Sequence, residues 1–282
     1  MEQLSHRPGQ RRRIRIGDAG ASVGDGEFLV IGGPCAVESR DGLLRIADGI
    51  AGAGAGMLRG GAWKPRTSPH SFQGLGADGL ALLSHARDMT GMPVVTEVLD
   101  PRDAEQVAEH VDVLQVGARN MSNGALLREL ARTGRPILLK RGFGATLQEL
   151  LDAAEYVLAE GNEDIILVER GIRTFEPSTR FTLDISAVPV LRERTHLPIV
   201  VDPSHPAGVA RWVPDLARAA AAVGADGVMV EVHDSPRDAM SDADQALDLR
   251  EFEQLVRSID PLLAALGRHR STPDRPRAAT PA

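Results

Sequence analysis

Eight short apolar runs, separated by segments with helical periodicity, constrain the fold of this chain more than any other feature. The runs are rich in β-branched residues and lie roughly 20–35 residues apart. Continuous apolar strands that alternate with helices indicate a parallel sheet covered on both faces. Eight such units predict an α/β fold, a closed (β/α)8 TIM barrel, with an open doubly wound sheet as the alternative. The predicted strands are Phe28–Ile31, Met57–Arg59, Pro93–Thr96, Val113–Val116, Ile137–Lys140, Ile165–Val168, Ile199–Val201 and Val228–Val230.

Helical periodicity with Ala, Leu, Glu and Arg marks the segments between the runs. The clearest predicted helices are Ala81–Met89, Asp103–Glu109, Ala125–Arg132, Thr146–Glu160 and Val209–Val223.

Polar and charged residues follow the apolar runs at their C-terminal ends. A barrel gathers all its strand C-termini onto one face, where active sites lie. The predicted mouth carries Cys35, Arg59, Lys64, Arg66, Glu97, Arg119, Lys140, Arg170, His205 and Glu231. Because the chain has a net charge of −7, this positive charge is local, and a general nucleic-acid role is not favoured.

The loop from Leu58 to Pro69 (LRGGAWKPRTSP) contains two arginines and a lysine between glycines and prolines. Guanidinium groups match phosphates and carboxylates bidentately, and lysine supplies a compact charge. The loop therefore predicts a site for small, multiply anionic substrates, with a solvated basic loop as the alternative.

The two ends of the chain differ in composition from the middle. Residues 1–27 are expected to form an arm, too short for a further domain, in which Ile14 and Ile16 start a strand that caps the barrel bottom. Residues 28–266 are expected to form a single (β/α)8 barrel domain. Residues 267–282, rich in Pro, Arg, Ala and Thr, are expected to be a disordered tail.

Cysteine content and hydropathy indicate a cytoplasmic protein. One cysteine cannot form an internal disulfide. The N-terminus is polar and lacks the apolar core of a signal peptide, and no apolar run approaches the length of a membrane span.

Nine ordered segments resemble those of 3-deoxy-D-arabino-heptulosonate 7-phosphate (DAHP) synthase, type I-beta branch. The resemblance runs from about Phe28 to about Val256. The segments are Gly33–Ser39, Arg59–Gly76, Gln115–Asn120, Leu138–Gly142, Glu169–Phe175, Leu183–Pro189, Asp202–Pro206, Val230–His233 and Met240–Leu247. The resemblance implies a (β/α)8 barrel and a transferase that condenses phosphoenolpyruvate with erythrose 4-phosphate and water, the first step of the shikimate pathway. It also implies a homo-oligomer, a dimer or tetramer, without nucleic-acid or membrane partners.

The resemblance also implies where the two substrates bind. The residues implied around phosphoenolpyruvate are Arg59, Lys64, Ala118, Arg119, Lys140 and Arg170. The aldose phosphate is expected across Pro65, Arg66 and Thr67. Holding two anions in one cavity overcomes their repulsion and orients them.

A metal site is implied at Cys35, His205, Glu231 and Asp242. Thiolate, imidazole and carboxylates together suit Mn, Fe(II), Co or Zn, and the ion would activate the aldehyde carbonyl. The expected catalytic residues are Lys64, Glu97, His205 and Asp242. Water activation is open between Glu97 and the metal site near Asp242.

Two other functions remain open at the level of sequence. One is the sibling enzyme 3-deoxy-D-manno-octulosonate 8-phosphate synthase, which uses arabinose 5-phosphate, and the other is a noncatalytic barrel. The chain reads Lys64-Pro65-Arg66-Thr67-Ser68 where the sibling family has Lys-Ala-Asn-Arg-Ser, which favours the shorter aldose.

Three charged residues near the expected site each have two possible roles. Asp202 orients His205 or caps the next helix. His233 supports the metal site or packs, and Arg141 lines the pocket or forms an interface salt bridge.

Overall fold

Eight parallel strands form the centre of the molecule. The computed structural model describes residues 11–18, 20–64 and 70–273. A short antiparallel hairpin, β1 (Ile14–Ile16) and β2 (Ala21–Val23), comes first. The eight parallel strands are β3 (Glu27–Gly33), β4 (Met57–Arg59), β5 (Val94–Glu97), β6 (Val113–Val116), β7 (Ile137–Lys140), β8 (Ile165–Glu169), β9 (Ile199–Val201) and β10 (Gly227–Glu231).

Each of these eight strands pairs with the next one along the chain, and β10 pairs with β3. The register places Glu231 opposite Gly33, so the sheet closes on itself. The predicted (β/α)8 barrel is therefore confirmed, and the open doubly wound sheet is excluded.

Helices cover the outside of the barrel. They are α1 (Arg40–Ala53), α2 (Ala77–Thr90), α3 (Ala104–His110), α4 (Gly124–Arg132), α5 (Leu147–Ala159), α6 (Ala187–Arg194), α7 (Ser204–Ala207), α8 (Val213–Val223) and α9 (Leu249–Ala265). The N-cap Thr146 and Glu149 form a capping box that fixes where α5 begins. None of the described helices is long and apolar enough to cross a membrane.

The buried apolar residues form two clusters. The larger cluster lies between the strands and the surrounding helices and includes Val30, Leu114 and Phe252. The smaller cluster fills the barrel interior, where Ile31 and Met229 pack with residues of the hairpin. Ile14 and Ile16 belong to this inner cluster, so the hairpin closes the N-terminal end of the barrel.

Part of the segment expected to be a disordered tail is a strand. Strand β11 (His269–Ser271) pairs parallel with the N-terminal half of β3. This edge is free there because β4 pairs with β3 only from Ile31 onward. The expectation of a tail from residue 267 is therefore wrong for residues 269–271, and residues 274–282 lie outside the described residues.

Candidate active site

A glycine turn places Cys35 at the mouth of the barrel. Gly33, the last residue of β3, has a φ of +140°, and a Cβ there would lie 2.1 Å from the carbonyl oxygen of Arg59. Only glycine lets the two strand ends approach this closely. As a result, Cys35 and Arg59 leave neighbouring strands at the same level.

Cys35, Lys64 and Asp242 form a partly buried polar contact. Lys64 Nζ donates to Cys35 Sγ at 2.9 Å, and the thiol donates to Asp242 Oδ2 at 2.8 Å. Burial, together with the charge of Glu231, raises the pKa of the Cys35 thiol to about 12. Burial would lower the pKa of the Lys64 amine, but the contact with Cys35 raises this pKa above its ordinary value. Lys64 is therefore a cation at neutral pH.

Glu231, at the end of β10, is fully buried and keeps one oxygen without a hydrogen bond. Its Oε2 accepts from Gln245 Nε2 at 2.5 Å. Its Oε1 lies 3.3 Å from Arg59 Nη1, but neither atom has a hydrogen-bond partner within the described residues. Burial would raise the pKa of Glu231, but His205 and Arg59 lower it, so the group is a carboxylate. A buried carboxylate oxygen without a donor is a candidate ligand atom.

Of the two roles open for Asp202, the structure shows the first, the orientation of His205, since Pro203 is the N-cap of α7. Asp202 Oδ2 lies 2.7 Å from His205 Nδ1 and accepts from Lys140 Nζ at 2.8 Å, while its Oδ1 accepts from the backbone N–H of His205. Burial lowers the pKa of His205. With Nδ1–H directed to Asp202, Nε2 of the neutral ring carries the lone pair, the form in which histidine binds metals.

Three of the four expected metal ligands come together. One ligand atom each from Cys35, Glu231 and Asp242 lies within 4.8 Å of the other two. The fourth expected ligand lies beside them, since His205 Nε2 is 3.5 Å from Glu231 Oε1. A soft thiol, an imidazole and two carboxylates fit a first-row divalent metal. The described residues therefore contain a possible metal site, and Oε1 of Glu231, which has no hydrogen-bond partner among them, fits it.

Two aromatic rings organise the arginines on the other side of the mouth. Phe143 and Phe181 stack with centroids 5.2 Å apart. Arg170, which is 4% exposed, lies over both rings, and its Nη1 is buried without a hydrogen-bond partner in the part of the chain described. Arg119 is exposed and lies over Phe143. The neighbouring Ala118 begins the same short turn.

Glu97 lines a cavity together with Cys35, Arg59 and Lys64. Gln115 Nε2 donates to Glu97 Oε2 at 3.3 Å. A side chain at Gly117 would collide with Glu97, because a Cβ there would lie 1.9 Å from Oε1. Glu97 therefore reaches the site already described.

Some of the other expected residues lie elsewhere or outside the described chain. Arg141 is buried and forms ion pairs with Glu169 and Asp184 of the same chain. His233 contacts Glu38 at 3.3 Å in a separate cavity. Three expected sugar-phosphate residues fall outside the described residues: Pro65, Arg66 and Thr67.

Four residues that sequence reasoning did not single out contact the site. Gln245 binds Glu231, and Arg180 donates to Asp242 Oδ1 at 2.9 Å and to Gln245 Oε1 at 2.8 Å. Phe143 and Phe181 complete the set. Gln245 lies in Met240–Leu247, one of the segments that resemble the DAHP synthase family, and this resemblance was the only sign in the sequence that Gln245 belongs to the site. The other three residues lie outside the segments that resemble the family.

The barrel mouth therefore combines a cationic pocket with a cluster of metal-binding residue types, and this defines a (β/α)8-barrel enzyme that acts on small anions. The model of the DAHP synthetase I family matches residues 11–264. The chain belongs to this family.

Individual relatives support the same family assignment. The chain is 52% identical to phospho-2-dehydro-3-deoxyheptonate aldolase of Thermotoga maritima over 254 residues, covering 90% of this chain and 75% of that protein. The crystal structure of this aldolase (DAHP synthase) from Thermotoga maritima superposes with a TM-score of 0.89 at 50% identity, covering 93% of this chain and 76% of the other. A 2-dehydro-3-deoxyphosphooctonate aldolase of Syntrophobacter fumaroxidans is 34% identical over 258 residues, covering 85% of this chain and 88% of that protein.

Proposed function

We propose that this chain condenses phosphoenolpyruvate with D-erythrose 4-phosphate and water, giving DAHP and inorganic phosphate in the first step of the shikimate pathway. The observation that carries the proposal is the series of hydrogen bonds from Lys64 to Cys35 and from Cys35 to Asp242 at one barrel mouth. It joins a cationic pocket to a possible metal site. The higher identity to the heptonate aldolase than to the octonate aldolase favours the four-carbon sugar.

Phosphoenolpyruvate carries a phosphate and a carboxylate on three carbons, so it needs several cations close together. We assign its binding to Arg59, Lys64, Ala118, Arg119, Lys140 and Arg170. Four of the five cations are buried or nearly so, and charge interactions are stronger in such a dry site than in water. The aldose phosphate is assigned to Pro65, Arg66 and Thr67.

Cys35, His205, Glu231 and Asp242 would hold one divalent metal, Mn, Fe(II), Co or Zn. When bound, this metal supplies Lewis acidity to the aldehyde carbonyl. The protein's part is to keep His205 in one tautomer through Asp202 and to keep Glu231 ionised.

The bond changes follow from this arrangement. C3 of phosphoenolpyruvate forms a bond to the aldehyde carbon, water adds to C2, and the C2–O bond to the phosphate breaks. Lys64 gives a proton to the aldehyde oxygen, which becomes the new hydroxyl. Glu97 takes the proton of the attacking water.

Lysine usage in the sequence supports the role of Lys64 as a proton donor. The 32 basic residues include only two lysines, Lys64 and Lys140, and both lie in the site. An ammonium group can release a proton, whereas a guanidinium stays charged.

We further propose that the protein lies in the cytoplasm, which its free buried thiol supports. We propose that it is a homo-oligomer of two or four chains.

Phosphate release from phosphoenolpyruvate tests the function. The purified protein is stripped with chelator and resupplied with Mn, and erythrose 4-phosphate and arabinose 5-phosphate are compared in parallel. Metal-dependent release with the four-carbon sugar alone is expected. Release with the five-carbon sugar alone would assign the sibling reaction, and no release with either sugar in folded, metal-loaded protein would reject the proposal. Lys64→Arg keeps the charge and is expected to lower kcat at least a hundredfold.

A further inference from the structure

We propose that the stacked pair Phe143–Phe181 is a positioning device for the anion-binding arginines, above all Arg170. This inference rests on the proposed function, because it concerns how the same mouth holds phosphoenolpyruvate. Neither ring would touch reacting atoms. Their task is to hold guanidinium groups in place while the N–H donors stay available to the substrate.

The geometry of the pair fits this task. The two rings are nearly parallel, with an interplanar angle of 9°. Arg170 Cζ lies 4.4 Å from the centroid of Phe181 and 4.9 Å from that of Phe143. Both distances are within the range of a cation–π contact. Further guanidinium groups surround the same pair: Arg119 at 5.5 Å and Arg173 at 5.4 Å from Phe143, and Arg180 at 5.9 Å from Phe181.

Arg141 is held by carboxylates, whereas Arg170 is held by aromatic rings. Arg141 is bound by two carboxylates, Glu169 and Asp184, so its donors and its charge are both used within the protein. Arg170 has no ion pair within the described residues, and its Nη1 is buried without a hydrogen-bond partner. An aromatic ring attracts the cation through its quadrupole without adding negative charge. The positive potential and the donors therefore remain for an anion.

The backbone is built to keep the pair close to Arg170. Gly171 has a φ of +88°, and a Cβ there would lie 2.8 Å from Cβ of Phe181. Any other residue at this position would push the ring away from the preceding Arg170. The backbone N–H of Arg173 donates to the carbonyl oxygen of Phe143 at 2.7 Å, which ties the loop after β8 to the loop after β7.

Clustered guanidinium groups repel one another, and the rings offset part of this cost before the substrate arrives. Both rings are half-buried, so the stacked pair forms part of the wall of the mouth and is not part of the core. Loss of an aromatic face should then weaken anion binding more than it weakens the fold.

Leucine substitutions separate ring chemistry from apolar packing. Phe181→Leu and Phe143→Leu keep apolar bulk but remove the π face, and Phe181→Tyr restores it. The expected result is a rise of about tenfold in KM for phosphoenolpyruvate for each leucine variant, consistent with a cation–π contact in a desolvated site. The kcat should stay within about twofold, and Phe181→Tyr should return KM to near the wild-type value. The matched control is Phe175→Leu in the same loop, because Phe175 is 98% exposed.

Two outcomes overturn the positioning role. One is an unchanged KM in both leucine variants at a Tm within a few degrees of wild type. The other is a KM that rises only together with a loss of Tm and is not restored by Phe181→Tyr, which would make the pair structural.

Equilibrium binding of phosphoenolpyruvate by calorimetry separates this inference from the proposed function. If the wild-type protein binds phosphoenolpyruvate but does not turn over, the function fails. The positioning role then still stands if Phe181→Leu weakens binding about tenfold, and it falls if binding is unchanged.

Discussion

Replacing Arg141 by methionine tests the electrostatics that support the anion site. Arg141 Nη1 donates to Glu169 Oε2 at 2.8 Å and to Asp184 Oδ2 at 2.9 Å, and Nε donates to the carbonyl of Ala145. Glu169 is fully buried, and Asp184 is partly exposed. The substitution keeps much of the apolar bulk and leaves Glu169 without its cation.

The expected loss of unfolding free energy at neutral pH is about 3–5 kcal/mol, the usual cost of leaving one member of a buried ion pair unpaired. The loss should depend on pH in a defined direction. Burial already raises the pKa of Glu169, and removal of Arg141 should raise it further. Between the unfolded pKa of about 4.3 and the raised folded pKa, the folded state holds a proton that the unfolded state has lost, so stability falls as pH rises. Up to the folded pKa of Glu169 in the wild type, both proteins lose this stability together, so the gap between variant and wild type should be smallest at low pH and widen only above that pKa.

Urea unfolding of both proteins between pH 4 and pH 8, followed by circular dichroism, measures this gap. The double variant Arg141→Met/Glu169→Gln removes the stranded charge and keeps an acceptor for the N–H of Gly171, so it should recover a large part of the loss. A loss below about 1 kcal/mol, a gap that does not change with pH, or no recovery in the double variant would contradict the reasoning.

Three further predictions concern other parts of the chain. Gln245→Leu removes the donor to Glu231 Oε2 and should weaken metal binding about 10–100-fold, as measured by competition with a chromogenic chelator; an unchanged affinity would remove Gln245 from the metal site. Gly33→Ala places a Cβ against the carbonyl of Arg59, so we expect a clear drop in Tm in a thermal melt, and an unchanged Tm would show that the turn can relax. Thr146→Ala removes the N-cap of α5 and should cost about 1 kcal/mol of unfolding free energy in a urea titration, with an exposed Thr→Ala change away from any cap as control.

The strands of the barrel were predictable because their residues are buried on both faces. Continuous apolar runs such as Ile137–Lys140 and Val113–Val116 have the bounds that the sequence pattern predicts. Strand β11 was not predictable in this way. Its His-Arg-Ser sequence has no apolar pattern, and it is a strand only because β3 offers an unpaired edge beside it.

The candidate site likewise has one part that the sequence predicts and another part that it does not. Cys35 and Lys64 follow strands and Glu231 is the last residue of one, so barrel topology alone brings them to one mouth. Phe143 and Phe181 could not be foreseen, because a stacked pair between two loops depends on loop conformation and leaves no periodic signal in the sequence.

The hairpin at the bottom of the barrel meets the last described strand. The backbone N–H of Ser22 in β2 donates to Oγ of Ser271 in β11 at 2.7 Å, on the face opposite the barrel mouth. The first and last described segments are thus neighbours, a geometry that tolerates circular permutation in many domains. A short linker across this face, with new ends opened in an exposed loop, should leave the barrel intact. For the same reason, a protein domain fused at this face would stand away from the path that substrates take into the mouth.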